Sequence, residues 1–339
     1  MAEEQKMTTS LSVWANSVTE MVVSDFGQNG VEFGSYSKEC ALNAMSSIYQ
    51  LVKSSGVAMN DIDTSNLREI VGQCASLKLN ANGYPKECYF QVRKKKVGDN
   101  YVQVVEMGVE GAGQEAMLRN FGVNVDTVYD WWIVKEGDEF VYPKRKGLTM
   151  TDPEWEQKGL SQKTARVVLP IKLKDGSITY LISERESVKT NLFAHVRNNL
   201  MNETFDVLEG QKNQKGKPKT RYDATPAEIK EIDAKKEVIY DALRKCETVD
   251  DMLACEIARP FISGAWLDTS ESMIIRKMQN NAVRKFPKSF DNMAKRSFME
   301  MDETLAQSQE EIAQNANQVE FDDANVIDGV ATVVTNAEG

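Results

Sequence analysis

The stretch CYFQVRKKKVGDNYVQVVEM, residues 88–107, decides the fold. Cys88–Val92 and Tyr101–Met107 are runs rich in β-branched and aromatic residues, with apolar and polar side chains in near alternation. A period of two places one set of side chains on each face of a strand. Between the runs stands RKKKVGDN, whose Gly98, Asp99 and Asn100 supply turn chemistry. The stretch reads as an antiparallel β-hairpin with Arg93, Lys94, Lys95 and Lys96 at its tip. Four cations projecting from a ribbon are suited to tracking a phosphodiester backbone.

Upstream the period changes. Ala41, Leu42, Met45, Ile48, Tyr49 and Val52 recur at helical spacing behind Ser37, a potential cap. Leu67, Ile70, Val71, Cys74 and Leu77 form the apolar face of a second helix, from about Ser65 to Leu77. Downstream, a short helix over Gln114–Phe121 is stopped by Gly122, and VNVDTVYDWWIV (123–134) reads as one strand. ARVVLPIKL (165–173) and SITYLI (177–182) flank a Lys174-Asp175-Gly176 turn and make a second hairpin. Helical patterns return at 184–208, 226–245, 248–258 and 268–286, the last stopped by Pro287. Hairpins and helices in separate runs predict an α+β fold of antiparallel β-hairpins packed with helices. Three segments are expected: a flexible N-terminal arm over residues 1–36, a core over 37–300 with a long helical insertion at about 190–265, and a disordered acidic tail over 301–339.

Charge is distributed unevenly. The 339 residues carry 41 Lys and Arg against 51 Asp and Glu, a net charge of −10. Ten of those acids, and no Lys or Arg, lie between Ser297 and Gly339, which leaves 41 of each sign in residues 1–296. The body is neutral with local basic clusters, so an acidic average does not exclude nucleic acid. The five cysteines are scattered with no C-x-x-C pair, so neither a disulfide framework nor a zinc knuckle is indicated, and a reducing cytoplasm is the expected compartment. No apolar run approaches the ~18 residues of a membrane span. The single histidine, His195, sits in a helical pattern and is read as structural.

Two nucleotide motifs are near-misses. Gly210 and Gly216-Lys217 imitate a phosphate loop, but the glycine spacing is one residue too long and Pro218 stands where Ser or Thr would hold magnesium. Gly111-Ala112-Gly113-Gln114-Glu115-Ala116 fits G-x-G-x-x-A, with Asp130 about twenty residues on. Its strand, however, belongs to a hairpin with polar alternation, whereas a buried parallel strand is nearly all apolar. The bland alternative is a glycine turn whose helix N-terminus faces a phosphate.

The basic clusters are more productive. Besides Arg93–Lys96 there are Lys144, Arg145 and Lys146, and a loop with Lys212, Lys215, Lys217, Lys219 and Arg221. On the 268–286 helix, Ile275, Met278, Ala282 and Phe286 are expected to form the core stripe. Arg276, Lys277, Asn280, Asn281, Arg284 and Lys285 take the opposite half-turn, and Lys288, Lys295 and Arg296 extend it. Asp291 is the only acid from Ser272 to Phe298. Solvated helices usually interleave acids with bases, so this face is expected to meet phosphates. Of the nearby aromatics Tyr89, Phe90, Tyr101, Tyr129, Trp131 and Trp132, most are expected in the core. No catalytic constellation stands out, so neither an enzyme nor a bound cofactor or metal is expected.

In their order these features resemble the RecT family of phage single-strand annealing proteins. IVGQCASLKLNANGYPKECYFQVRK is similar to the family's helix ending in Cys-x-x-Leu-x-Leu and its first strand. YVQVVEMGVEGAGQEAMLRNFGV resembles its second strand, glycine turn and short helix, and VYDWWIVKEGDEF its next strand and Glu-Gly-Asp-x-Phe turn. WLDTSESMIIRKMQNNAVRKFPK resembles its C-terminal basic helix. The matches span roughly residues 38–183 and 266–290. Two departures stand out: Glu110 precedes Gly111 where the family usually has a basic residue, and the region 190–265 is longer than its usual connection.

The resemblance implies single-stranded DNA binding, ATP-independent annealing, ring or helical homo-oligomers, and a partner 5′–3′ exonuclease. Such a protein would be phage- or prophage-encoded and work in the bacterial cytoplasm, with the acidic tail a potential dock for a single-strand-binding protein. The DNA-facing residues expected are Arg93, Lys94, Lys95, Lys96, Lys144, Arg145, Lys146, Arg276, Lys277, Arg284, Lys285 and Lys288. Two other readings stand beside it: a dinucleotide-dependent enzyme using Gly111, Gly113 and Ala116, and a structural phage protein that binds no DNA.

Overall fold

The computed structural model describes residues 20, 22, 24, 34–97, 100–147, 149–159, 161–214, 216–290 and 294–299. The acidic tail, the hairpin turn at 98–99, Lys215 and most of the N-terminal arm lie outside the described residues, as do the side chains of Lys96, Val97 and Asn100. The described chain is α+β, in accord with its periodicities.

Helix α1 (Ser35–Ser54) buries Ala41, Met45, Ile48 and Val52 as their spacing requires. Ser37 is buried inside it rather than capping it, and Leu42 is exposed. Helix α2 (Thr64–Leu77) buries all five residues of its expected face. Asp63 caps it, its carboxylate accepting from the amides of Ser65 (2.8 Å) and Asn66 (3.2 Å). The hairpin is strands β1 (Cys88–Val97) and β2 (Asn100–Val109), paired antiparallel from Cys88↔Val109 to Val97↔Asn100. Its Phe90, Val105 and Met107 pack under α1 and α2 in a first core, which Val22 of the arm and Ala294 join.

Helix α3 (Gly111–Phe121) begins three residues before the expected Gln114, so both glycines lie in its first turn. It is a wedge between cores: Met117 and Phe121 enter the first, while Leu118 enters another with Val125, Leu169, Ile171 and Val283. The strand expected over 123–134 is two strands, β3 (Val125–Val128) and β4 (Trp132–Lys135), both paired antiparallel to the long β9 (Thr164–Leu173). Small ribbons follow, β5 (Glu139–Val141) with β8 (Glu154–Glu156) and β6 (Arg145–Lys146) with β7 (Thr149–Met150). The second hairpin is β9 (Thr164–Leu173) and β10 (Ile178–Glu184), with β9 central in its sheet.

Helices α4 (Lys189–Asn199), α5 (Pro226–Lys245), α6 (Val249–Ala254), α7 (Gly264–Leu267) and α8 (Ser270–Arg284) complete the described fold. The 190–265 segment is not a separate appendage. Leu192, Val196, Ile239, Leu243 and Met252 share a core with Trp266, Ile274 and Met278 of α7 and α8. A buried Arg185 ties this region together: its guanidinium pairs with Asp250 and Glu271 at 2.9 Å each and donates to the carbonyl of Thr164. His195 is engaged within the fold. Its Nε2 accepts from the Ser263 amide (3.1 Å), and burial lowers its pKa, aided by the charge of Lys277.

Candidate nucleic-acid interface

The glycine turn and the basic helix, 160 residues apart in sequence, meet in space. Helix α8 packs against α3, and between them opens a cleft of about 640 Å³. Glu110, Gly111, Ala112 and Glu115 form one wall; Ser272, Ile275, Arg276, Gln279, Asn280 and Val283 form the other. Pro85, Lys86 and the Trp131 indole close it.

Gly113 explains why this turn needs glycine. A Cβ there would stand 2.1 Å from the Glu87 carbonyl oxygen and 2.7 Å from a Val109 methyl. The helix can dock on the open end of the β1–β2 hairpin only without a side chain at 113. Gly111 is tight differently, since a Cβ would meet the Asn280 Oδ1 at 2.8 Å. The glycines thus serve close packing, whatever else they do. The strand before them pairs antiparallel with β1, and no βαβ unit exists among the described residues. A dinucleotide site on Gly111–Ala116 therefore lacks the parallel frame such sites use. The Gly210–Gly216 loop leads into turns rather than directly into a helix.

Helix α3 starts without a side-chain cap. The first-turn amides of a helix lack intrahelical acceptors and carry the positive end of its dipole, and here they border the cleft. The two carboxylates in the lining differ in how they are engaged. Glu110 lies in the field of Lys277, and Glu115 accepts from the Trp131 Nε1 (3.0 Å) while pairing with Arg119. Arg276 has no carboxylate partner among the described residues; its guanidinium meets only the Met273 sulfur at 3.2 Å. Lys86, Gln279 and Asn280 make no side-chain hydrogen bond or ion pair among them. The cleft therefore offers unpaired cations, free amide groups, bare helix amides and an indole wall fixed in place by Glu115.

The remaining basic residues divide by how they are engaged. Arg284 and Lys285 are exposed at the end of α8. Lys277 is half-buried, and its pKa is lowered by desolvation and by Arg276. Lys288 caps the helix C-terminus, its ammonium donating to the carbonyls of Val283 (3.1 Å) and Phe286 (3.4 Å). Arg93 pairs with Glu106 across the hairpin at 2.6 Å. Lys94 is exposed and Lys95 half-exposed on β1. Lys94 stands six positions along the strand from Cys88 at the hairpin base, about 20 Å, so the hairpin tip and the cleft are separate stations. Lys144, Arg145 and Lys146 lie exposed at the β6–β7 ribbon and do not line the cleft.

Two expectations are corrected. The core stripe of α8 is Ile274, Met278, Ala282 and Val283, with Ile275 and Phe286 only half-buried. This turns Ile275 into the cleft, and Asn281 leaves the cationic face to bond Asn191 (2.8 Å) and Ser187. Among the aromatics, only Phe90 is fully in the core. Tyr89, Tyr101 and Tyr129 are exposed, Tyr101 most at 54 %, and Trp131 and Trp132 are half-buried. Trp132 instead stacks against Trp155 and tilts on Tyr180, which fastens the β5–β8 ribbon over the sheet.

Sequence reasoning missed Lys86, Gln279 and the role of Trp131. Only the docking of α3 on α8 joins them, and no local pattern encodes that. No helix among the described residues is long and apolar enough to cross a membrane. Comparison with protein-family models, curated proteins and solved structures gives no match.

Proposed function

We propose that this chain binds single-stranded DNA and anneals complementary strands without ATP, as its resemblance to the RecT family implies. The observation that carries the reading is the α3–α8 cleft, where unpaired cations and uncapped helix amides converge. Annealing requires cations to offset the repulsion between two polyanions. It also requires that bases be held so that a second strand can test its pairing. Each correct step then returns about 1.4 kcal/mol of stacking, which suffices without nucleotide hydrolysis. The exposed Tyr101, beside the basic hairpin tip, supports the reading, since aromatic faces stack bases without regard to sequence.

A footprint this small binds weakly alone, and ring or helical self-assembly along the strand multiplies it. A 5′–3′ exonuclease that exposes the strand, and a single-strand-binding protein docked on the acidic tail, complete the proposed setting in the cytoplasm of a phage-infected or prophage-bearing cell. Labelled complementary oligonucleotides mixed with the protein at low salt, without nucleotide, test the proposal. Pairing should accelerate with protein concentration and slow with added salt. Neither binding nor acceleration would discard it. A chain ending near residue 300 then asks whether the tail competes with DNA: unchanged affinity rules competition out.

A further inference from the structure

We infer that the α3–α8 cleft takes a single unstacked nucleotide of the bound strand: its base lies against Trp131 and Ile275, the amides of Gln279 and Asn280 meet the base edge, and its phosphate sits at the first turn of α3 beside Arg276 and Lys86. The inference rests on the single-strand reading for the class of ligand, and on the cleft for everything else.

The lining carries the kinds of surface a nucleotide needs. Pro85, Ile275, Val283 and the Trp131 ring supply apolar surface. Glu115 holds the indole N–H at 3.0 Å, so the indole is fixed at the cleft. Lys86 and Arg276 line the same cleft, whose volume of about 640 Å³ falls in the ~300–1,000 Å³ range of small-molecule sites. Of the acids that line the cleft, Glu115 pairs with Arg119, and the charge of Lys277 lies near Glu110. That leaves Lys86 and Arg276 to favour an anion. Gln279 and Asn280 add two carboxamides to the lining. A carboxamide both donates and accepts, so a pair of them meets the edge of any base by rotating, without demanding one sequence. Asn280 is held close to the helix start because Gly111 has no side chain to exclude it.

A consequence follows for annealing. A base whose edge is bonded to Gln279 and Asn280 is withdrawn from pairing while its neighbours remain free. Each subunit would then interrupt the stack once, and that base would pair last, as the complement displaces the amides.

The test titrates the full-length chain with deoxyadenosine 5′-monophosphate and, separately, with 2-deoxyribose 5-phosphate, which lacks the base. The nucleotide should bind at least tenfold more tightly. Gln279→Ala with Asn280→Ala should remove most of that advantage while leaving the sugar phosphate unaffected, and Arg276→Ala with Lys86→Ala should weaken both ligands. Trp131→Phe, which keeps an aromatic wall without the bond to Glu115, should weaken the nucleotide selectively. Equal affinity for the two ligands would overturn the inference in favour of a plain phosphate site. A chain that anneals DNA but ignores the mononucleotide would keep the proposed function and discard this subsite. A chain that takes the mononucleotide but neither binds nor pairs oligonucleotides would keep the subsite and discard annealing.

Discussion

Replacing Arg276, Arg284 and Lys285 together by glutamine should flatten the salt dependence of single-strand binding by a calculable amount. At the cleft, the hairpin and the end of α8, six cations carry no carboxylate or carbonyl partner among the described residues and face solvent or the cleft: Lys86, Lys94, Lys95, Arg276, Arg284 and Lys285. Each phosphate neutralised on a single strand contributes about −0.7 to the slope of log affinity against log salt, so all six give about −4. Between 50 and 200 mM salt, affinity should then fall about 300-fold. The triple variant keeps three such cations and a slope near −2, a fall of only about 20-fold. Lys288→Gln is the control. Its ammonium already donates to Val283 and Phe286 carbonyls, so its loss should leave the slope unchanged even if the helix end frays. Fluorescence anisotropy of a labelled oligonucleotide over a salt series reads both. A triple variant with the wild-type slope would show that α8 does not meet phosphates. A Lys288 variant that flattens the slope as much as the triple would show that structural engagement is no guide to DNA contact.

Two further perturbations test the scaffold. Asp250→Asn with Glu271→Gln strands the buried Arg185 without a counter-charge and should cost about 3 kcal/mol, the low end for a broken buried pair because both carboxylates are partly exposed; the midpoint of urea unfolding measures it, and a loss under ~1 kcal/mol would mean the network is not a tie between β9 and α8. His195 accepts from the Ser263 amide as a neutral ring, and its pKa is depressed in the folded state below the ordinary 6.5. Its contribution is therefore present above about pH 6.5 and is lost as pH falls toward the folded value, where the unfolded chain binds the proton first. His195→Asn should flatten that acid limb, and an unchanged pH profile of thermal unfolding would refute the assignment.

Much of the fold was legible because single periods dominate single segments. Leu67, Ile70, Val71, Cys74 and Leu77 all point inward in α2, and the two hairpins pair about the turns their glycines mark. Where two adjacent residues compete for one direction, the sequence is silent. Ile274 and Ile275 stand 100° apart on α8, and either can lead a core stripe; only the packing with Trp266 and Met278 selects Ile274. The one strand read over 123–134 divides at residues 129–131, where the four steps from Val128 to Trp132 face only three on β9, from Ile171 to Val168, an irregularity that alternation does not announce. The cationic residues were legible as charge but not as availability: Arg93 and Lys288 look no different in sequence from Lys94 and Arg284, yet the first two are engaged within the fold.

The same limit governs the glycines of α3, and there it yields a prediction that separates folding from binding. Sequence treats Gly111 and Gly113 as one motif. The structure gives them different neighbours, backbone at 113 and the end of a side chain at 111. A Cβ at Gly113 collides with the Glu87 carbonyl, which cannot retreat without prising β1 from α3. Gly113→Ala should therefore destabilise by the ~1–3 kcal/mol typical of overpacking, or somewhat more. At Gly111 the obstacle is the Asn280 carboxamide, which can rotate aside, and alanine is intrinsically better in a helix than glycine by up to ~1 kcal/mol. Gly111→Ala should leave thermal stability unchanged or slightly raised. Because it pushes Asn280 from its place, it should also weaken nucleotide binding about as much as Asn280→Ala does. Combining Gly111→Ala with Asn280→Ala should then add nothing further, since the second change removes the group the first displaced. Additive losses from the pair would show that Gly111 acts on the ligand by another route, through its own amide at the start of the helix rather than through Asn280.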